Sequence, residues 1–402
     1  MNYDILAFVI LIAILSLIMY KNRKKLIIQK ILYPVVYMIL YKTHLGIGLM
    51  NKISERHRKL VITIAYCFVG FAFAGMIFMS YTIVKTMINF VIAPATTDTG
   101  MALLYPGTTI AGIGYLSFWY WFIGLFCIAI VHEMAHGIVA VANKIKIKSS
   151  GFAVLGIIAP LFPAAFVEPD DKQMSKRPAI EQYSVLAAGP MINLVIALLL
   201  FAVMPYVADS SSSMLAPFES RITVPKGFSF DINNASMPAG ISGLSNNTLI
   251  TSVNGVNVTD ADKFIEVIYY CTKPEETITL ANENATYAIK TIASPAGNGR
   301  AYIGIENIRN VRAVSTKDKI GSGAFFWFKG LFRWLFLLNF FIGLSNLLPI
   351  FITDGATMLK VACLDTIKDK KKALKVWALV NWLFLGLIML GLVATYVKRF
   401  FF

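Results

Sequence analysis

The stretch Ile128–Val139, IAIVHEMAHGIV, sets two histidines and a glutamate inside an otherwise apolar run. Its spacing is H-E-x-x-H, supplied by His132, Glu133 and His136. Four residues of helix advance about 400°, so the two histidines share one face, one turn apart. Two neutral imidazoles so placed suit a Zn²⁺ ion, and the adjacent carboxylate suits a general base for water. A charge at the bilayer centre costs about 2.5–3.5 kcal/mol on insertion scales, so such residues are rarely idle there. The alternative is a trio satisfied by hydrogen bonds within a helix bundle, with no chemistry to perform.

The flanks support a membrane setting. The chain has 402 residues and is 57% hydrophobic, where soluble domains run near 45–50% apolar. Its mean hydropathy is +0.66. These values read as a polytopic α-helical membrane protein. The net charge of +15 is concentrated in Lys21–Lys59 and Lys368–Lys375, both beside apolar spans. That is the positive-inside pattern, and it removes the case for a nucleic-acid partner. Cys67, Cys127, Cys271 and Cys363 include no C-x-x-C pair, so neither a disulfide framework nor a cysteine zinc site is expected. The remaining histidines, His44 and His57, lie in the basic segment, so a third metal ligand should be of another type.

Six spans are expected, and four regions follow from them. Residues 1–59 read as an anchor, Tyr3–Tyr20, with its start outside the cytoplasm, followed by a basic stretch. Within that stretch Leu26–Met50 suits either an amphipathic interfacial helix or a dip into the bilayer. Residues 60–208 form a first membrane half. Leu60–Val84 travels outward, Gly114–Asn143 returns with the H-E-x-x-H, and Tyr183–Val207 leaves again. Between the last two, Gly151–Val167 is apolar yet holds Gly156, Pro160 and Pro163, and reads as a re-entrant loop with extended character. Residues 209–319 hold ten Lys or Arg and eleven Asp or Glu, start with a serine-run linker, and contain N-x-[ST] sites at Asn234, Asn246, Asn257 and Asn284. The strand signals there, with an Asn254-Gly255 turn and a helix capped near Asp260, predict a small extracytoplasmic αβ domain. Residues 320–402 form a second membrane half, with spans Phe325–Leu348 and Val376–Val397.

The first of these spans ends in NLLPIFITDG, Asn346–Gly355. Asp354 falls at the same membrane face as the histidines and is the best placed third ligand. Its alternative duty is to cap a helix running from Ala356.

Three patterns now stand in order: H-E-x-x-H, A-x-G-P-x-x-N ending at Asn193, and N-x-x-P-x-x-x-x-D-G from Asn346 to Gly355. Together they resemble the site-2 protease family of intramembrane zinc metalloproteases, over roughly Gly114–Ala208 and Phe325–Val397. The segment Pro238–Val258 resembles the core of the PDZ domain that members often insert between these halves. The resemblance implies one zinc per chain on His132, His136 and Asp354, with Glu133 as general base. It implies a role for Asn193 in positioning substrate or stabilising the oxyanion, and substrate contacts at Asn346 and Pro349. Gly151, Phe152 and Gly156 fall in GFAVLG, which resembles a re-entrant β-loop that pairs with unwound substrate. The implied partners are the lipid bilayer, a transmembrane substrate protein and an upstream extracytoplasmic protease. The implied location is a multi-pass membrane protein, in the plasma membrane if the source is prokaryotic, with its site near the cytoplasmic side. The chain departs from the pattern at Thr353, often Leu, and at Phe351, often Pro. The competing class is a silent scaffold that binds membrane helices; such a protein should have lost a ligand or the glutamate, and this chain keeps all four.

Overall fold

The structure is a computed structural model. It describes residues 3–401 apart from 22–25, 33–35, 95–98, 100, 102–103, 111–113, 158, 208–213, 235, 296–298 and 315–318. The serine run at 210–213 and Pro34 lie outside the described residues. In chain order come α1 (Tyr3–Lys21), β1 (Leu26–Leu32), β2 (Val36–Thr43), α2 (Ile47–Arg56), α3 (Arg58–Ile92), β3 (Thr108–Ile110), β4 (Gly114–Leu116), α4 (Phe118–Ala142), β5 (Ile147–Ile157), β6 (Ala159–Pro169), α5 (Asp171–Met174) and α6 (Ala179–Val207). There follow α7 (Ala216–Ile222), β7 (Thr223–Ile232), α8 (Pro238–Ile241), β8 (Ser252–Val253), β9 (Val256–Asn257), α9 (Ala261–Glu266), β10 (Thr277–Ala281), β11 (Thr286–Lys290), β12 (Ile292–Ala293), β13 (Ala301–Tyr302) and β14 (Ile305–Val314). The chain closes with α10 (Lys319–Ser345), α11 (Asp354–Thr366) and α12 (Lys370–Phe401).

Two compact units result, one of residues 1–204 with 330–402 and one of residues 205–329. Among the described residues six helices are long and apolar enough to cross a membrane: α1, α3, α4, α6, α10 and α12. A span needs about 20 residues, and α4 with 25 rises about 37 Å. The helical part of the third span starts at Phe118 rather than Gly114, because Gly114–Leu116 pairs as β4 with β3 and Ser117 caps the helix by accepting from Tyr120 N–H.

Small residues bring the central helices together. Ala65 of α3, Ala140 of α4 and Ala188 of α6 share one buried cluster with Val139, Ile147 and Val185. Without bulky side chains between them, backbones approach closely, which is how membrane helices gain dispersion contacts.

The segment for which an interfacial helix was one expectation forms two strands followed by α2. In the four-stranded sheet β1-β2-β5-β6, β2 pairs with β5 from Val36↔Ile157 to Thr43↔Ser150. Extended backbone in an apolar setting must satisfy its N–H and C=O groups, and β5 supplies the partners. Gly46, at φ +82°, turns the chain from the sheet into α2. The stretch Gly151–Val167 is the hairpin arm of this sheet, β5 and β6. Gly151–Gly156 lies in β5, which is interior, bonded to β2 on one side and β6 on the other. β6 is an edge strand, which is where Pro160, Pro163 and Pro169 are tolerated.

Lys42 of β2 and Ser149 of β5 both donate to the Glu168 carboxylate of β6, tying three strands. The Lys42 hydrogen bond, then that of Ser149, hold the Glu168 carboxyl below the usual carboxylate range. A depressed folded-state value means this tie is fully present above about pH 4.3 and is lost as pH falls through the lowered value. Amide exchange of Val36–Thr43, corrected for intrinsic rate, should therefore accelerate in that acid window. Glu168→Gln should exchange faster at neutral pH and show no acid step.

Residues 205–329 form their own αβ unit. Phe228, Phe230, Ile250, Ile278, Leu280, Ile289 and Ile303 are buried together. β8 and β9 turn at Asn254 and Gly255, both at positive φ, as a two-residue hairpin demands. Asp260 caps α9 by accepting from Lys263 N–H.

Candidate metal centre

α4 brings its two histidines to one side, both buried. His132 Nε2 and His136 Nε2 are 3.1 Å apart. Asp354 Oδ2 lies 3.2 Å from the first and 3.4 Å from the second. A tetrahedral ion bound at about 2.0–2.1 Å needs its donors about 3.3 Å apart, so the triangle has the size of one face of such a shell. Among the described residues, His132, His136 and Asp354 form the one His/Cys/Asp/Glu group close enough to hold an ion.

The ring protons fit the same ion. His136 Nδ1 lies 2.7 Å from Val185 O. A carbonyl only accepts, so Nδ1 carries the proton and Nε2 presents a lone pair. His132 Nδ1 lies 3.1 Å from the Asn193 amide nitrogen, while Asn193 Oδ1 is buried without a partner. Turning that amide over pairs Oδ1 with an Nδ1–H and frees the lone pair of His132 Nε2. Two imidazole lone pairs and a carboxylate oxygen then face one volume, an arrangement that a cation relieves and the bare atoms do not.

The third ligand is set by the turn between α10 and α11. Gly355 N–H donates to Asn346 O at 2.8 Å. A Cβ at Gly355 would lie 2.1 Å from Leu347 O, so only glycine lets the chain fold back this tightly. Thr353, not Asp354, caps α11: its Oγ1 accepts from Ala356 N–H at 3.2 Å and donates to Ile350 O at 2.9 Å. The capping duty considered for Asp354 is therefore filled by its neighbour, and the carboxylate is left to the histidines. The departure at Phe351 packs edge-on against Trp377 and Trp382, with ring centroids 5.4 and 5.0 Å away. The Asn346 carbonyl thus holds the turn closed, and Pro349 is buried in the same turn.

Glu133 is held from the sheet side: its Oε2 accepts from Val167 N–H at 2.9 Å. Gly151 and Phe152 of β5 line a cavity of about 180 Å³ that Glu133 also borders. Gly156 lies farther along β5, paired with Tyr37 and Pro160.

Two participants were not singled out by sequence reasoning. One is Val167, whose contribution is a backbone N–H and leaves no mark on residue type. The other is Gly189, within the A-x-G-P-x-x-N pattern but read there as spacing. A Cβ on Gly189 would fall 2.3 Å from His136 Nε2 and 2.5 Å from His132 Nε2. Gly189→Ala should therefore push the ligand atoms apart and weaken metal binding by at least about tenfold, the lower end for disturbing a ligand's support. Zinc titration of the purified variant measures this; parent-like affinity would show that the helices yield.

The geometry defines a His-His-Asp group of a size to hold a metal ion, with the Glu133 carboxylate beside it on α4. Residues 120–391 match peptidase family M50, so the chain belongs to that family, the site-2 protease family. An uncharacterized protein of Methanocaldococcus jannaschii is 28% identical over 239 residues, covering 58% of this chain and 55% of that protein. The chain thus spans little more than half the length of that relative.

Proposed function

We propose that this protein is an intramembrane zinc metalloprotease that hydrolyses peptide bonds within transmembrane helices. The observation that carries the reading is the convergence of His132 Nε2 and His136 Nε2, on the spanning helix α4, with Asp354 Oδ2, at the start of α11, within 3.4 Å of one another and beside Glu133. Zinc, when bound, polarises the scissile carbonyl and makes water acidic enough to lose a proton near neutrality. Glu133 takes that proton as oxygen joins the carbonyl carbon, then delivers it to the amide nitrogen as the C–N bond breaks, leaving a carboxylate and an amine. With the Asn193 amide turned over to pair its Oδ1 with His132 Nδ1–H, its NH2 takes the unpartnered position and is a donor suited to the substrate carbonyl. The helix must unwind before its carbonyl is reachable. Since β5 is paired on both sides, the sheet's edges are β1 and β6, and β6, whose Val167 N–H reaches Glu133, is the edge that suits the unwound segment.

The same reading places residues 205–329 as a PDZ-like domain outside the cytoplasm and the metal near the cytoplasmic face, as the lysines after α4 suggest. The substrate is then a membrane helix already trimmed outside by another protease, with the PDZ-like domain screening for that trimming or holding the new end. Deleting residues 209–319 should admit untrimmed substrates; continued refusal of them would sink the screening role.

Bound zinc and cleavage of a synthetic transmembrane helix, measured on the purified chain, test the core claim. One zinc per chain with cleavage supports it. Zinc without cleavage of any helix, also after removal of the outer domain, moves the reading to a silent scaffold. No bound metal overturns it.

A further inference from the structure

The cavity bordered by Glu133 lies over one face of the sheet, on the flank of α4. Its walls are Ile130 and Met134 of α4, Phe152 of β5, and Ala165 and Val167 of β6. Phe152 and Ala165 are register partners, so their side chains share a face, and Val167, two residues on, shares it too. Glu133 is the one charged side chain on this lining. At about 180 Å³ the cavity exceeds the roughly 150 Å³ that accepts a benzene ring in a protein interior. Phe152 stacks on Phe126 at 6.1 Å and is still 41% exposed, so this aromatic wall is open on one side.

The edge of β6 runs past the same place. Val167 N–H points away from β5 to reach Glu133. By the two-residue alternation of a strand, the N–H and C=O of Ala165 face the same side of β6, away from β5. An extended segment laid there reaches Glu133 and the cavity together.

We propose that this cavity is a specificity pocket that takes one apolar side chain, aromatic or branched aliphatic, from the substrate residue next to the scissile bond. The proposal rests on the protease reading above. The group that moves the proton forms one wall of the pocket, so filling the pocket fixes which peptide bond lies at Glu133. A polar or charged residue there would surrender its hydration to apolar walls and meet the Glu133 carboxylate, and is refused.

The test uses the intact protein and synthetic transmembrane helices that differ only at the residues flanking the cut: Ala, Val, Leu, Phe or Asp. Products are identified by mass spectrometry and kcat/KM is compared within the set. Leu and Phe should exceed Ala and Asp by about tenfold or more at one flanking position. Ala165→Leu, which fills the pocket, should shift preference to Ala with bound zinc unchanged. Phe152→Ala, which enlarges it, should favour Phe over Leu. Gly151 is not a usable site for filling, because a Cβ there meets Tyr41 O at 2.1 Å. Cleavage with no side-chain preference at either position overturns the pocket and leaves the protease standing. So do unchanged ratios in both variants, as expected if the cavity merely holds a lipid chain. Failure of the parent to cut any helix overturns the protease reading, and this proposal with it.

Discussion

Glu133→Gln should keep its zinc and lose peptide-bond hydrolysis by about 10²–10⁴-fold, the span that one positioned acid–base group contributes. The substitution is nearly isosteric and spares His132, His136 and Asp354, the three residues whose donor atoms lie within 3.4 Å of one another. The amide oxygen of Gln can still accept from Val167 N–H, so the side chain keeps its anchor on β6. What it lacks is basicity. Zinc content by mass spectrometry and single-turnover cleavage separate the two effects. A variant that loses zinc would make Glu133 part of the metal's support; one that cleaves at the parent rate would remove it from the chemistry.

Asp354→Ala should abolish zinc binding and cleavage together. Losing an outer partner of a ligand costs about 10–100-fold in metal affinity, and losing a direct ligand costs more. The second effect is on stability. A metal at about 1,000 times its Kd stabilises the folded chain by about 4.1 kcal/mol through mass action. The parent should therefore melt higher with zinc than with chelator, and Asp354→Ala should melt alike in both. Thr353 caps α11 in its place, so the helix itself should survive the change. A zinc-dependent melting shift that persists in the variant would mean that the third ligand lies elsewhere.

The sequence was most readable where chemistry contradicts its surroundings. His132, Glu133 and His136 stand out because apolar residues flank them, and the six spanning helices stand out by length and hydropathy. Leu26–Thr43 was opaque for the opposite reason. LIIQKIL and VYMILYKT are apolar with little alternation, a pattern shared by buried strands and by helices. What makes them strands is β5, more than a hundred residues on, and no local signal carries that pairing. The division of labour between Thr353 and Asp354 was hidden in a similar way. Both residue types cap helices, and only the position of the turn decides which one does.

The ligands of the metal centre are 222 residues apart along the chain, with residues 205–329 made in between. A ribosome adding about 5–20 residues per second needs about 11–44 s to pass from His132 to Asp354. Throughout that interval the growing chain holds both histidines without the carboxylate that lies beside them in the folded protein. Asp354 arrives only after the intervening unit and α10 have been made. A chain abandoned before that point carries the histidine pair and the glutamate but lacks Asp354, the carboxylate that closes the group.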